Sequence, residues 1–410
     1  MSDAFSNNTV LFIANVWPEP NSSAAGWRMK GLLEVFVSPD CNVHFACTAA
    51  KSDYAIDLEE MGIASHHINI NDSGFDTWLK GLGPNTVVFD RFMCEEQFGW
   101  RVKDNCPEAL RILNTEDLHS LRQSREVAFK KKESWSANAM IENEVCKREL
   151  ASILRSDLSL IISSFEMELL QKEFNVPAKL LHYLPFNCTL KPTEKPFEDR
   201  AHFVSIGNFK HQPNWQACRI LKEHIWPLVR KVLPNAEVYL YGAYPDQKVL
   251  QLHDPKHGFI VKGRAGSAEK VIANARVLLA ALPFGAGLKG KLLEAMLYGT
   301  PSITTTIGAE GMESPENWNG FVTDDWAQFA EHAVQLYQDK NIWEAAVSKG
   351  TTCLTSKFSD PSHLSNIPKK ISEISDDLEA HRSREAMQQL LAYHSFRNNK
   401  FMSRWIELKN

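Results

Sequence analysis

Two wound α/β domains, each a parallel sheet covered by helices on both faces, are the fold class this 410-residue sequence predicts. Its length exceeds the roughly 250 to 300 residues that one hydrophobic core organises. Short β-branched runs alternate with longer helical stretches from end to end, and several runs are continuously apolar, as strands buried on both faces must be. The rhythm lapses once, between Pro185 and Arg200, where three prolines and mixed charge show neither period, and then resumes.

Before that lapse, the predicted strands are Val10 to Asn15, Val43 to Cys47, His67 to Ile70, Thr86 to Asp90, Arg111 to Asn114, Leu158 to Ser163 and Lys179 to Tyr183. After it come Phe203 to Gly207, Glu237 to Gly242, Phe259 to Lys262, Val277 to Ala281, Ser302 to Thr305 and Phe321 to Thr323. Each series reads as a Rossmann-like sheet. The domains expected are residues 1–187 and 198–370, with terminal helices over 371–410 that pack back on the first domain. Pro213 and Asn214 open a helix through Glu223, and Lys291 to Tyr298 ends at Gly299 with Pro301 beyond. The Lys-, Glu- and Ser-rich stretch from Arg122 to Arg155 reads as surface helix. The tail, with Arg397, Lys400, Arg404 and Lys409, reads as a solvated basic helix, with peripheral membrane contact as its alternative.

Composition narrows the function. Hydrophobic residues at 44%, charged at 23% and aromatic at 10% are those of a globular chain. Lys plus Arg 45 against Asp plus Glu 50 gives a formal charge of -5, no overall drive toward nucleic acid or anionic lipid. None of the eight cysteines forms a C-x-x-C pair, which removes the usual zinc and dithiol spacings. Asp3 stands where a signal peptide would be basic, and no apolar run approaches the roughly 20 residues of a bilayer span. A cytoplasmic location is the expectation. There is no G-x-S-x-G elbow for a hydrolase.

Chemistry concentrates in Leu282 to Pro301, which reads LPFGAGLKGKLLEAMLYGTP. The segment leaves a predicted strand, passes Gly285, Gly287 and Gly290, and enters a helix near Lys291. Glycines let backbone N–H groups close on an anion, and the helix start adds a positive dipole end, so a phosphate or diphosphate suits it. Lys289 and Lys291 add charge, and Glu294, within the first turn or so, can accept from ribose hydroxyls. The same residues also read as G-x-G-x-x-G, with Glu310 as the downstream acid of a dinucleotide site. The position after the fourth strand of the second unit argues against that oxidoreductase reading.

Val277 through Gly311, with Gly207 to Asn214, Ile225-Trp-Pro227, Leu233 to Ala236 and Tyr241-Gly242 upstream, resembles the donor-binding domain of group 1 glycosyltransferases of GT-B architecture. In the first half, Trp17 to Arg28, Asn114 to His119 and Glu149 to Ser164 resemble that family's cleft-facing segments. The resemblance implies two Rossmann-like domains facing a cleft and a metal-independent, retaining glycosyltransferase using a nucleotide diphosphate sugar, with no further cofactor. It implies roles by position. Gly285, Gly287 and Leu288 line the diphosphate loop, Lys291 and Lys210 neutralise the diphosphate, Glu294 holds the ribose, and Arg264 borders the base. Gly26 and Arg28 face the donor from the first domain, while His119 and Asp117 act at the reacting sugar. Asp90, Arg91, Glu95 and Glu96 are candidates for the acceptor side.

Two departures stand out. Ala286 occupies the place of the family's first paired glutamate, and Asn208 that of an arginine. They motivate a second reading, a non-catalytic nucleotide-sugar-binding or scaffold protein. The acceptor stays open among glycan, lipid, protein and RNA.

Overall fold

The computed structural model describes residues 8–190 and 195–409. Residues 191–194 of the expected linker, and Asp3 with the rest of 1–7, lie outside the described residues.

The first domain holds β1 (Asn8–Ala14), β2 (Cys41–Cys47), β3 (Ala64–His67), β4 (Thr86–Asp90), β5 (Leu110–Asn114), β6 (Leu158–Ile161) and β7 (Leu181–Tyr183). They form one parallel sheet in the order β3-β2-β1-β4-β5-β6-β7. The second domain holds β8 (Ala201–Ile206), β9 (Val238–Tyr241), β10 (Phe259–Gly263), β11 (Ala275–Ala280), β12 (Ser302–Thr304) and β13 (Gly320–Val322), in the order β10-β9-β8-β11-β12-β13. β1, β4, β5 and β6 are buried almost throughout, as their unbroken apolar runs require.

In both sheets the order reverses beside the first strand, so a crevice opens at the carboxyl ends of β1 and β4 and again at those of β8 and β11. Crevices of this kind receive ligands in wound sheets. The glycine-rich loop leaves β11, and the segment Gly207 to Asn214 leaves β8, so the two segments that resemblance singles out meet at one switch point.

Three expectations need correction. The third strand is Ala64–His67 rather than His67 to Ile70; it is a short, half-buried edge strand, and Ile68 lies beyond its end with its side chain in the core. The stretch Arg122 to Arg155 belongs to three helices, His119–Lys131, Ala137–Ile141 and Glu144–Arg155, whose inner faces bury Arg125, Glu149 and Arg155. The helix opening near Pro213 runs past Glu223 through a π turn, Leu221–Ile225, into Trp226–Val232.

The terminal helices Ser362–Ser375, Leu378–Ser383 and Ala386–Glu407 return to the first domain. Arg382 Nη2 meets Asp157 Oδ2 at 2.6 Å, Gln388 Nε2 donates to the carbonyls of Arg155 and Ser156, and Phe396 packs on Trp100. Asp157 accepts so many donors that, against the upward push of burial, Arg111 and Arg382 hold it down at about 2.

Candidate functional site between the two domains

The loop between β11 and the helix Gly290–Leu297 is shaped by its glycines. Gly287 has φ +63°, the left-handed region, and a Cβ there would stand 2.8 Å from the Asp117 Cβ of the facing domain. A Cβ on Gly290 would meet Ala24 at 2.7 Å, so the start of the helix Gly290–Leu297 lies directly against the first domain. Only glycine permits both approaches.

Behind the loop sits a cationic wall. Lys291 Nζ donates to Asn214 Oδ1 at 2.7 Å, and Asn214 Nδ2 donates to the Asn208 carbonyl at 2.9 Å. A Cβ on Gly207 would lie 2.6 Å from Lys291 Nζ, so the segment after β8 is also glycine-gated at this point. Burial pulls Lys291 down to about 8 and pushes Glu294 up to about 7, with Lys291 opposing the latter shift. Both side chains stay partly exposed.

The first domain answers with a compact charged set. Asp117 accepts from Arg122 Nη1 and lies 3.5 Å from His119 Nε2. Against the push of burial, Arg122, His119 and His211 hold Asp117 well below the usual carboxylate range. Burial, with Arg122 and Arg91 adding to it, brings His119 to about 4, so its imidazole is neutral. His211, from the segment after β8, is brought to about 4 by burial and by Arg122. Its place beside Asp117 was not anticipated from the sequence, although it sits inside the segment that carries the resemblance.

Glu166 is the second residue the sequence did not single out. It is wholly buried at the domain boundary. Its Oε1 accepts the Leu118 N–H at 3.0 Å and the Gly287 N–H at 2.8 Å, while Oε2 has no partner. Burial, and then the Asp117 charge, push it up to about 8, so it is a neutral acid over the ordinary range. The backbone donor expected of Gly287 is thus engaged by a carboxyl of the other domain. Arg125 makes a second tie: Nη1 and Nη2 both reach Glu310 at 2.7 Å, and Nη1 also donates to the Gly285 carbonyl at 2.9 Å. Glu310, the acid that a dinucleotide reading needs free, is committed to this pair.

The remaining predicted residues divide. Arg264 stacks over Tyr54 at 4.0 Å and Lys210 over Tyr244 at 4.0 Å, while Tyr244 Oη donates to Glu19 Oε1 at 2.9 Å, so these loops close one rim of the cleft. Leu288 is buried in the second domain's core, and Gly285 is buried beside Lys289. Gly26 is pressed on the Glu19 backbone within the helix Ala24–Phe36, and supports the Pro-rich loop rather than lining an opening. Arg28 is buried, not at a surface, with Nε donating to Asn114 Oδ1 at 3.2 Å and Nη1 to the Leu184 carbonyl at 2.5 Å.

Arg28 belongs to a network in the crevice of the first domain. Asn114 Nδ2 donates to Asp90 Oδ1 and Glu116 Oε1, and Arg91 pairs with Asp90 at 3.0 Å. Arg91 and Glu116 both hold positive φ, +69° and +62°. Such backbone strain in non-glycine residues gathers where function positions side chains. Burial, with Asp90 adding to it, raises Glu116 to about 7. The four acceptor-side candidates therefore separate: Asp90 and Arg91 line the crevice, Glu95 is buried against Arg155, and Glu96 pairs with Arg148 at the surface. Among the described residues no group of three or more His, Cys, Asp or Glu side chains gathers as metal ligands.

Two wound domains, closed on each other across paired switch points, make this a GT-B fold. Residues 200–339 match the family model described as glycosyl transferases group 1, so the second domain is a glycosyltransferase domain. Solved structures of the same fold agree over most of the chain at low identity. One is Anabaena Alr3699/HepE in complex with UDP, at 11% identity and TM-score 0.64, with 91% of this chain and 100% of that one covered. Sucrose-phosphate synthase from Thermosynechococcus elongatus gives 14%, 0.64, 91% and 100%. A mutant of S. aureus TarM in complex with Fondaparinux, alpha-GlcNAc-glycerol and UDP gives 14% and 0.58, covering 72% of this chain and 58% of that one. Compared by sequence with curated proteins, the chain matches none.

Proposed function

We propose that this protein moves a glycosyl group from a nucleoside diphosphate sugar to an acceptor held by the first domain, without a metal and with retention of anomeric configuration. The observation that carries the proposal is the meeting of the β8 and β11 loops, where Lys291 pairs with Asn214 at the start of the helix Gly290–Leu297, near Glu294. Three structures of the same fold are described as complexes with UDP or UDP-glucose, which makes uracil the first base to try. The family match and the architecture support transfer, and the resemblance alone supports retention.

The chemistry follows from charge. Breaking the bond between the anomeric carbon and the diphosphate oxygen leaves negative charge on the leaving group and positive character on the sugar. Lys291, the Asn214 amide and the helix dipole are placed to stabilise the first. Ionised Asp117, beside Gly287, is placed to stabilise the second, with neutral His119 orienting the sugar by hydrogen bonding. The new bond forms to the acceptor's nucleophilic atom, whose proton passes to the departing diphosphate oxygen, and Asp90 and Glu116 line the crevice in which that acceptor would sit. Glu166 positions the Gly287 loop and is a positioning residue rather than a catalytic one.

Calorimetry with UDP tests the site. Lys291→Ala should weaken binding by about 3 kcal/mol, roughly a hundredfold, as for the loss of one preorganised charge donor. Unchanged affinity would remove the site assignment. UDP-sugar turnover with candidate acceptors separates transfer from the scaffold reading, which predicts tight binding and no product.

A further inference from the structure

The helix Ala386–Glu407 buries one face and leaves the other uncovered. Gln388, Ala392, Phe396 and Ser403 lie against the first domain. On the outward side Met387, Leu390, Phe401, Met402, Trp405 and, just past the helix end, Leu408 keep 50% to 87% of their surface exposed. Most of these recur three or four residues apart, which gathers them into one stripe of the helix. A soluble surface rarely carries so much contiguous apolar area without a partner.

The charges beside the stripe say what that partner is. Arg397 lies 5.8 Å from the Phe401 ring and donates to Tyr393 Oη at 3.3 Å. Lys409 sits 3.6 Å over the Trp405 ring. Among the described residues neither cation, nor Arg404, pairs with a carboxylate, whereas Lys400 is taken by Asp104 at 2.5 Å. The one acid within the helix, Glu407, accepts the Ser73 N–H at 2.7 Å on the flank. The outward face is thus apolar and aromatic, edged by cations and free of acids, in a chain whose formal charge is -5. A second copy docked on this face by a two-fold axis would set cation against cation. An anionic bilayer offers phosphates to the cations and an acyl boundary to the rings. No described helix is long and apolar enough to cross a membrane, so the contact is one that lies in the interface plane.

We propose that the outward face of the helix Ala386–Glu407 is a docking surface for anionic lipid bilayers, seating the first domain on a membrane. This stands apart from the transfer reaction and does not depend on it.

Flotation of the full chain with phosphatidylcholine vesicles, with and without phosphatidylglycerol, tests it. The chain should float with the anionic vesicles, and less so as salt rises. Each basic side chain near the surface contributes about fivefold to partitioning, so Arg397→Glu with Arg404→Glu should reduce it by at least about twenty-fivefold. Phe401→Ser with Trp405→Ser should reduce it by at least about tenfold. Both pairs are outward, so thermal midpoints should stay at the wild-type value, and the charge pair serves if the apolar pair unfolds. Absence of flotation with either vesicle overturns the proposal. So does flotation that neither pair weakens, or a dimer in sedimentation equilibrium that Phe401→Ser with Trp405→Ser dissociates while vesicles are ignored.

Discussion

Glu166→Gln isolates the buried carboxyl that joins the Gly287 loop to the first domain. Burial raises this acid from 4.5 to about 8, so between those values the folded chain holds a proton that the unfolded chain has released. Folded stability therefore falls as pH rises through that window. Each pH step of one across it costs about 1.36 kcal/mol for a single proton, so going from pH 5 to pH 7 should remove at most about 3 kcal/mol through this group. Glutamine keeps an oxygen for the Leu118 and Gly287 N–H groups and carries no titrating proton. The variant should therefore lose less stability than the wild type over the same range. The assay is the thermal midpoint of both proteins at pH 5, 6, 7 and 8. With about 2 to 4 °C per kcal/mol for domains of this size, the difference between the two should drift in favour of glutamine by up to about 10 °C. Glu116, Glu149 and Glu294 titrate in both proteins and cancel in the difference. Parallel curves would refute a neutral Glu166.

Gly287→Val should cost about 1 to 3 kcal/mol of stability, because a β-branched side chain would have to hold φ +63° while meeting Asp117, and the loss reads out in thermal midpoints. Arg125→Ala strands the largely buried Glu310 and should cost about 3 to 5 kcal/mol, whereas Arg125→Ala with Glu310→Gln should recover part of it; an additive double mutant would mean the pair is not coupled. His119→Ala should lower UDP-sugar turnover by about a hundredfold with UDP affinity unchanged, and equal turnover in single-turnover assays would end its role.

The fold was legible because periodicity reports burial. Every predicted strand has a counterpart, and the one displaced, β3, is a short edge strand with little buried surface to write a pattern. The glycine-rich turn from strand to helix was legible because glycine and lysine there carry their reason locally. Glu166 and His211 were not, since each owes its role to the other domain, and no spacing along the chain encodes a contact across a cleft. Glu116 hid for a different reason: its positive φ belongs to a residue type that does not advertise it. The bonds of Arg28 to Asn114 and to the Leu184 carbonyl were not legible either, because its partners are 86 and 156 residues away along the chain.

The last helices complete the first domain, sealing Trp100 and the Arg155 to Asp157 corner from outside. On the ribosome, that corner waits uncovered through the whole synthesis of the second domain. A domain made before its neighbour is finished after it, and its folding stays provisional until the helices that follow the second domain have emerged.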